Sequence, residues 1–456
     1  MTKVLNQLAL MLAFAALFLT SGCAFWRPDK IHYTVDTERL APCERCAPTP
    51  AGSDFIGVAL SGGGARASVF GAAAIEALAE AGIMQRVTHI SSVSGGGFPA
   101  AYYALHKPEP CALSKPGDNT CNNDSITAFK QQMRHNFLTD MTLRQLVRPN
   151  RFTSPTRRLL SLRDALDNQF IGDATFADLP SKPVLLINGA RYDDARRFVF
   201  SNQAIPEHEG DIAPFTEPVL QTASFSLPGC TRATPPDFSV ALAIAISAGF
   251  PPLLGPAAIE APESCLGGAT RYWHLGDGGI LDNTGVETLE DYALHAERGG
   301  GAIKRVIIFS FDAGRSTSPE VMMGKRNLKL WTSDPGRVVD IVGKRAQAYR
   351  EVALRNYYSD SGVEFHVLRM RYTEAQIEQW PESCGVREGG AEAIKAHLET
   401  VPTNFNITDC NADLMEMAAH DLVRRTLFEH KELLDDAGLV LTAPARSAAS
   451  TASGEP

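Results

Sequence analysis

Three short stretches hold side chains that could do chemistry together. Ser61-Gly62-Gly63-Gly64-Ala65-Arg66 follows an apolar run. Consecutive glycines there let the backbone approach a ligand and let successive N–H groups point into one small space at the positive end of a following helix, which is how an anion is held. A tight turn would need the same glycines. The run lacks the Lys-Ser/Thr ending of a phosphate loop and the spacing of a dinucleotide fingerprint. Ser92-Val93-Ser94-Gly95-Gly96 matches the nucleophile elbow G-x-S-x-G except that Ser92 stands in the first position. Serine is the next smallest residue that could stand there; Ser92 as the nucleophile would fit the pattern less well. His274-Leu275-Gly276-Asp277-Gly278-Gly279 places one carboxylate between glycines. A D-G pair is commonly a β-turn, but in company the three stretches supply the parts for acyl transfer: a backbone anion hole, a serine on an elbow and a lone carboxylate on a glycine turn.

The elements around them follow a repeating grammar. Phe55 to Leu60 and Val87 to Val93 are short apolar runs suited to buried strands, and each leads through a glycine turn into a helical segment, about Ser68 to Ala81 and Phe98 to Leu105. Strand, tight turn, helix, repeated, builds a buried parallel sheet. Pro183 to Asn188, Arg197 to Ser201 and Arg305 to Phe311 supply further strands, and Val240 to Ser247 reads as helix. Residues 107 to 180 form a helical insertion, and helical patterns recur at about 326 to 356 and 411 to 436.

Composition bounds the partners. The chain has 456 residues, 43 basic and 52 acidic, for a net charge of -9. That net acidic balance argues against a nucleic-acid binder and gives by itself no sign of polybasic anchoring to anionic lipid. Leu8 to Leu19 is apolar, preceded by Lys3 and followed by Thr20-Ser21-Gly22-Cys23. Twelve such residues fall short of the roughly twenty that span a bilayer. This is a secretory signal pattern, whose small residues ending in cysteine resemble a bacterial lipoprotein signal. On that resemblance residues 1–22 are removed, Cys23 carries lipid, and the non-acidic Ala24 allows sorting to the outer membrane; an ordinary signal cleaved nearby is the alternative. Residues 23–53 then form a proline-bearing tether, and residues 443–456 a tail too poor in apolar bulk to order itself.

With Cys23 lipidated, eight cysteines remain in an exported chain, which implies disulfides. Eight thiols allow 105 pairings. Sequential neighbours in loop-like segments give Cys43 with Cys46, Cys111 with Cys121, Cys230 with Cys265, and Cys384 with Cys410. The Cys43-x-x-Cys46 spacing could also be redox-active or half a zinc site, but no second CxxC and no H-E-x-x-H occurs. No metal or other cofactor is expected.

In order and spacing, the three stretches resemble the patatin-like phospholipases, serine acyl hydrolases with a Ser-Asp dyad. The family's G-G-G-x-R loop falls on Gly62, Gly63, Gly64 and Arg66, its elbow serine on Ser94 and its D-G-[GA] aspartate on Asp277. A small-residue-to-proline run matches Ser247-Ala248-Gly249-Phe250-Pro251. The resemblance covers about residues 55 to 315; beyond Ser92 it departs at Thr284-Gly285, where members often have a residue and then proline after the asparagine matching Asn283. It implies a three-layer α/β/α fold with a mainly parallel sheet, a nucleophile elbow and helical insertions. The hydrolase domain would occupy residues 54–315, with the insertion at about 107–180 and a mainly helical C-terminal extension over 316–442.

The implied activity is hydrolysis of phospholipid or another acyl lipid through an acyl-serine. Ser94 would be the nucleophile and Asp277 its base. Gly62, Gly63 and Gly64 would form the oxyanion hole, with Arg66, Gly96, Gly278 and Gly279 in support. Arg66 has two readings, a helix residue paired with an acid or a brace of the glycine loop. A conventional triad would recruit His89 or His274, the histidines nearest the motifs in sequence. The competing function is a lipoprotein of the outer membrane that binds acyl lipid or a protein partner without catalysis.

Overall fold

The structure, a computed structural model, describes residues 30–31, 54–108, 124–203, 214–215, 217–220, 222–224, 234–251, 253–260, 272–298, 303–315 and 337–439. Cys23, Cys43, Cys46, Cys111, Cys121, Cys230 and Cys265 lie outside these residues, as do the signal, the tether and the tail.

Among the described residues nine strands form one sheet: β1 (Lys30–Ile31), β2 (Asp54–Leu60), β3 (His89–Val93), β4 (Val184–Arg191), β5 (Arg196–Phe200), β6 (Ala257–Glu260), β7 (Tyr272–Asp277), β8 (Arg305–Asp312) and β9 (Glu364–Arg371). The order is β1-β6-β7-β4-β3-β2-β8-β9, with β5 paired to β4. The pairs β1·β6, β2·β3, β2·β8, β3·β4 and β8·β9 are parallel; β4·β5, β4·β7 and β6·β7 are antiparallel.

Helices cover both faces. They are α1 (Ala65–Glu80), α2 (Gly97–His106), α3 (Asp124–Met133), α4 (Phe137–Val147), α5 (Pro155–Leu166), α6 (Val240–Ser247), α7 (Val286–Arg298), α8 (Arg337–Ser361), α9 (Ala391–Leu398), α10 (Asp409–Glu429) and α11 (Lys431–Asp436). The alternation along β2 shows the layering, because successive side chains of a strand point to opposite faces. Ile56, Val58 and Leu60 join a core that includes Phe70, Ile75 and Leu78 of α1 and Leu414 and Ala418 of α10. Phe55 and Ala59 join a second core with Leu289 and Ala293 of α7 and Leu354 and Tyr358 of α8. The fold is therefore three-layer α/β/α, as the family resemblance implies.

β9 continues the sheet beyond β8, and α10 packs in the same core as α1, so residues 337–439 share the core of residues 54–315. The described part of the segment expected as a mainly helical extension thus contributes a strand to the central sheet. Within it Cys384 is disulfide-bonded to Cys410, 26 residues away, with Cα atoms 4.5 Å apart. Cross-linking a loop of this size restricts the unfolded chain, so replacing both cysteines by serine is expected to lower stability by about 2–4 kcal/mol. Urea unfolding at neutral pH checks this; an unchanged midpoint would contradict it.

The register of β4 brings the motifs together. Ile187 and Asn188 pair with Ser92 and Val93 on one side and with Phe200 and Val199 of β5 on the other. Gly189 and Ala190 still pair with β5, but their second partners are Asp277 and Gly276 of β7. β3 and β7 therefore share one edge of β4 and meet end to end, β3 stopping opposite Asn188 and β7 opposite Gly189. The residue leaving β3 is Ser94, and the residue ending β7 is Asp277.

Candidate active site

Ser94 opens a single tight turn, Ser94–Gly96, between β3 and α2. Its φ is 51°, in the left-handed region that few residues other than glycine adopt, and strain of this kind concentrates at functional turns. Two hydrogen bonds fix the turn: Ser94 N–H donates to Ser247 Oγ at 2.8 Å, and that hydroxyl donates to the Asn188 carbonyl. Small residues are required around it. A Cβ on Gly96 would lie 2.5 Å from the Leu60 carbonyl oxygen, and one on Gly95 would lie 2.1 Å from that of Gly64. Ser92 fits where the elbow pattern has glycine: it is fully buried, and its hydroxyl reaches the Leu186 carbonyl at 3.4 Å.

Asp277 is 4% exposed. Burial pushes its carboxyl up to about 7; the Gly279 N–H and the nearby Ser94 hydroxyl, which favour the charged form, offset only part of that rise. The Gly279 N–H donates to Asp277 Oδ1 at 2.8 Å. A Cβ on Gly278 would lie 2.5 Å from the Asn188 carbonyl oxygen, so that glycine lets the turn close against β4. A carboxyl poised near neutrality thus faces a serine hydroxyl, the arrangement that proton abstraction at physiological pH asks for.

The glycine loop lies on the other side of Ser94. A Cβ on Gly62 would stand 3.3 Å from Ser94 Cβ. Gly62 departs from the expectation that all three glycines donate to an anion, because its N–H already binds the Asn283 carbonyl at 2.9 Å. Its role here is to leave space. Among the described residues neither the Gly63 nor the Gly64 N–H has a hydrogen-bond partner, and both precede the N-terminus of α1. Gly64 has φ of 63°, and a Cβ on it would lie 2.2 Å from the Asn404 carbonyl oxygen.

Arg66 has the contacts of a brace. It is fully buried, donates from Nε to the Ala313 carbonyl at 2.9 Å, from Nη1 to the Val401 carbonyl and from Nη2 to Thr403 Oγ1 at 3.0 Å, and lies over the Tyr372 ring. Ala65 N–H adds a bond to the Asn404 carbonyl at 2.6 Å. The loop is thereby clamped between the end of β8 and residues 401–404.

Neither motif-adjacent histidine reaches the pair. His274 projects outward, with Nδ1 2.7 Å from Asp193 Oδ1 and about half its side chain exposed. His89 starts β3, stacks on Phe55, and is pushed down to about 3 by burial and the charge of Lys182. Since His274 touches neither Ser94 nor Asp277, His274→Gln is expected to keep ester turnover within a few-fold of wild type. A folded His274→Gln protein without activity would restore the triad.

Two participants escape motif reasoning. Asn188 is the hub: its Nδ2 donates to Ser91 Oγ and the Ser92 carbonyl, both at 2.8 Å, its Oδ1 accepts from Thr288, and its carbonyl accepts from Ser247. The only sequence signal is a lone amide in the apolar run Val184-Leu185-Leu186-Ile187-Asn188. Tyr192 packs on Gly276, and its hydroxyl is pushed up to about 12 by burial and the charge of Asp277. Among the described residues no group of three metal-ligating side chains converges.

Fold and site together define a three-layer α/β/α protein with a strained nucleophile elbow. A family model of patatin-like phospholipases matches residues 58–289, just over half of the chain, and the chain belongs to that family. Among solved structures it is similar to human GIVD cytosolic phospholipase A2, at 12% identity and a TM-score of 0.44, over 85% of this chain and 60% of that one. It is also similar to VipD from Legionella pneumophila, at 13% identity and a TM-score of 0.33, over 84% and 68% of the two chains. A third is ExoU of Pseudomonas aeruginosa in complex with SpcU, at 15% identity and a TM-score of 0.26, over 86% and 56%. The chain thus spans about 60% of the length of the human enzyme. No curated protein matches it.

Proposed function

We propose that this chain is a serine acyl hydrolase that cleaves a carboxylic ester of a phospholipid or another acyl lipid. The observation that carries the reading is the end-to-end meeting of β3 and β7 on β4, which sets Ser94 against a buried carboxyl of pKa about 7. Asp277 takes the proton from Ser94 Oγ as that oxygen attacks the ester carbonyl. The N–H groups of Gly63 and Gly64, at the positive end of α1, receive the developing oxyanion. Asp277 then protonates the departing alcohol as the C–O bond breaks, leaving an acyl-serine. Water attacks that ester, gives its proton to Asp277, and Ser94 Oγ recovers it as the acid leaves.

The lipoprotein signal supports a further part of the reading: Cys23 anchors the chain by lipid to the bacterial envelope, at the outer membrane. Radiolabelled palmitate should enter the wild type and not Cys23→Ser.

A fluorophosphonate probe tests the chemistry directly. Labelling is expected in the wild type and absent in Ser94→Ala. Folded wild-type protein that takes up no label would instead favour a non-catalytic acyl-lipid binder.

A further inference from the structure

Residues 137–166 carry charge and apolar surface that the chemistry at Ser94 does not use. α4 buries Phe137, Met141 and Gln145 along one face. Its opposite face holds Leu143, Leu146 and Val147, which are 55%, 64% and 80% exposed. An outer helix of a globular domain ordinarily presents polar residues there. Two more residues with exposed apolar side chains, Phe152 and Leu253, are tied together through their backbones by one arginine, since Arg158 donates from Nε to the Leu253 carbonyl and from Nη1 to that of Phe152.

The same stretch is locally basic. Phe137 to Asp167 contains Arg144, Arg148, Arg151, Arg157, Arg158 and Arg163 against Asp140, Asp164 and Asp167, so six minus three leaves an excess of three positive charges in a chain of net -9. Asp164 receives Arg148, Arg151 and Arg163, Arg163 also reaches Asp167, and Asp140 faces His135.

The patch borders the candidate site. Ser247, the last residue of α6, accepts the Ser94 N–H; a Cβ on Gly249 would lie 3.1 Å from Leu159 Cδ1 of α5, and the Gly249 carbonyl accepts the Asp277 N–H. Leu253 belongs to this same loop.

We propose that α4, Phe152 and Leu253 form the surface on which this domain lies against an anionic lipid bilayer. Aliphatic side chains enter the acyl boundary while the arginines meet lipid phosphates. A second copy of the chain is a poor occupant, because it would set the same positive excess against itself. The proposal rests on the acyl-hydrolase reading for its purpose, since the surface would bring the rim of the Ser94 site to its substrate.

The test is cosedimentation of the mature chain, residues 23–456 with Cys23→Ser so that neither the signal nor an acyl anchor contributes, with vesicles of phosphatidylcholine, alone or with phosphatidylglycerol. Binding is expected to the anionic vesicles and to weaken with salt. The Leu146→Asp/Val147→Asp double variant should reduce partitioning by at least about 10-fold, given the apolar carbon it removes from the interface. Arg148→Glu should weaken binding to anionic vesicles more than to neutral ones, and Phe428→Asp, an equally exposed site on α10, should change nothing. Turnover of a soluble short ester should be the same in all four proteins, and their melting temperatures report folding if no esterase activity exists. Wild-type binding that is absent, indifferent to anionic lipid, or unaltered in the double variant overturns the proposal. So does a lipid-free dimer that the double variant dissociates. Vesicle binding that survives in a protein without esterase activity would fault the hydrolase reading and leave the surface standing.

Discussion

Ser94→Ala is expected to lower turnover of a short acyl ester by at least about 10²-fold, since without the hydroxyl neither acyl transfer nor its base has anything to act on. Stability should hardly change, because alanine keeps both the small side chain and the strained φ of 51°. Ser94→Gly adds a second measurement. Glycine adopts a left-handed conformation that costs other residues roughly 1–2 kcal/mol, so this variant should be equally inactive and melt above the wild type. Activity and stability moving in opposite directions mark strain held for function. A Ser94→Ala protein with near-normal turnover would remove Ser94 from the chemistry.

Asp277→Asn should produce the other large effect, and its stability arm depends on pH. The carboxyl has an ordinary value of 3.8 in the unfolded chain and about 7 in the folded protein, so the folded state holds the proton more tightly. Below about pH 4 both states are protonated and no difference arises. As pH rises from 4 to 7 the unfolded chain ionises first, and stability falls by up to about 4 kcal/mol, the energy of a three-unit shift. Asparagine escapes this penalty. The variant should therefore match the wild type in thermal unfolding at pH 4 and melt clearly above it at pH 8, while ester turnover falls at least about 10²-fold. For the wild type, kcat/KM should climb as pH passes through about 7. An Asp277→Asn protein that melts below the wild type at pH 8 would show that the carboxylate is held by favourable partners and not destabilised by burial.

The candidate site residues were legible because each announces itself locally. A glycine run, a serine between small residues and an aspartate between glycines all follow apolar segments, and the steric demands at Gly96, Gly278 and Gly64 explain why nothing larger stands there. What stayed hidden depends on contacts between distant segments. Asn188 reads as an ordinary strand residue until β3, β7 and Ser247 are placed beside it. Arg66 leaves brace and ion pair open until Val401 and Thr403 come within reach. Gly62 counts as a donor until the Asn283 carbonyl claims its N–H. β9, Glu364-Phe365-His366-Val367-Leu368-Arg369-Met370-Arg371, interrupts its apolar alternation with charges fit for an outer strand, and long helical patterns on either side mask it. α1 begins at Ala65, three residues before the periodicity suggests, because the glycine loop itself forms the helix start.

The clamp on the glycine loop also orders events in time. Ser94, Asp277 and the three glycines have all been synthesised by residue 277, yet the Arg66 and Ala65 hydrogen bonds run to Val401, Thr403 and Asn404, more than a hundred residues later. A ribosome reaches those positions several seconds after Asp277, at roughly 5–20 residues per second. Until then the loop lacks the wall that Gly64 is shaped to meet, so a nascent or truncated chain carries Ser94 and Asp277 without the closed loop beside them. Closure of the glycine loop thus waits for residues 401–404, which follow residues 137–166 by more than two hundred positions.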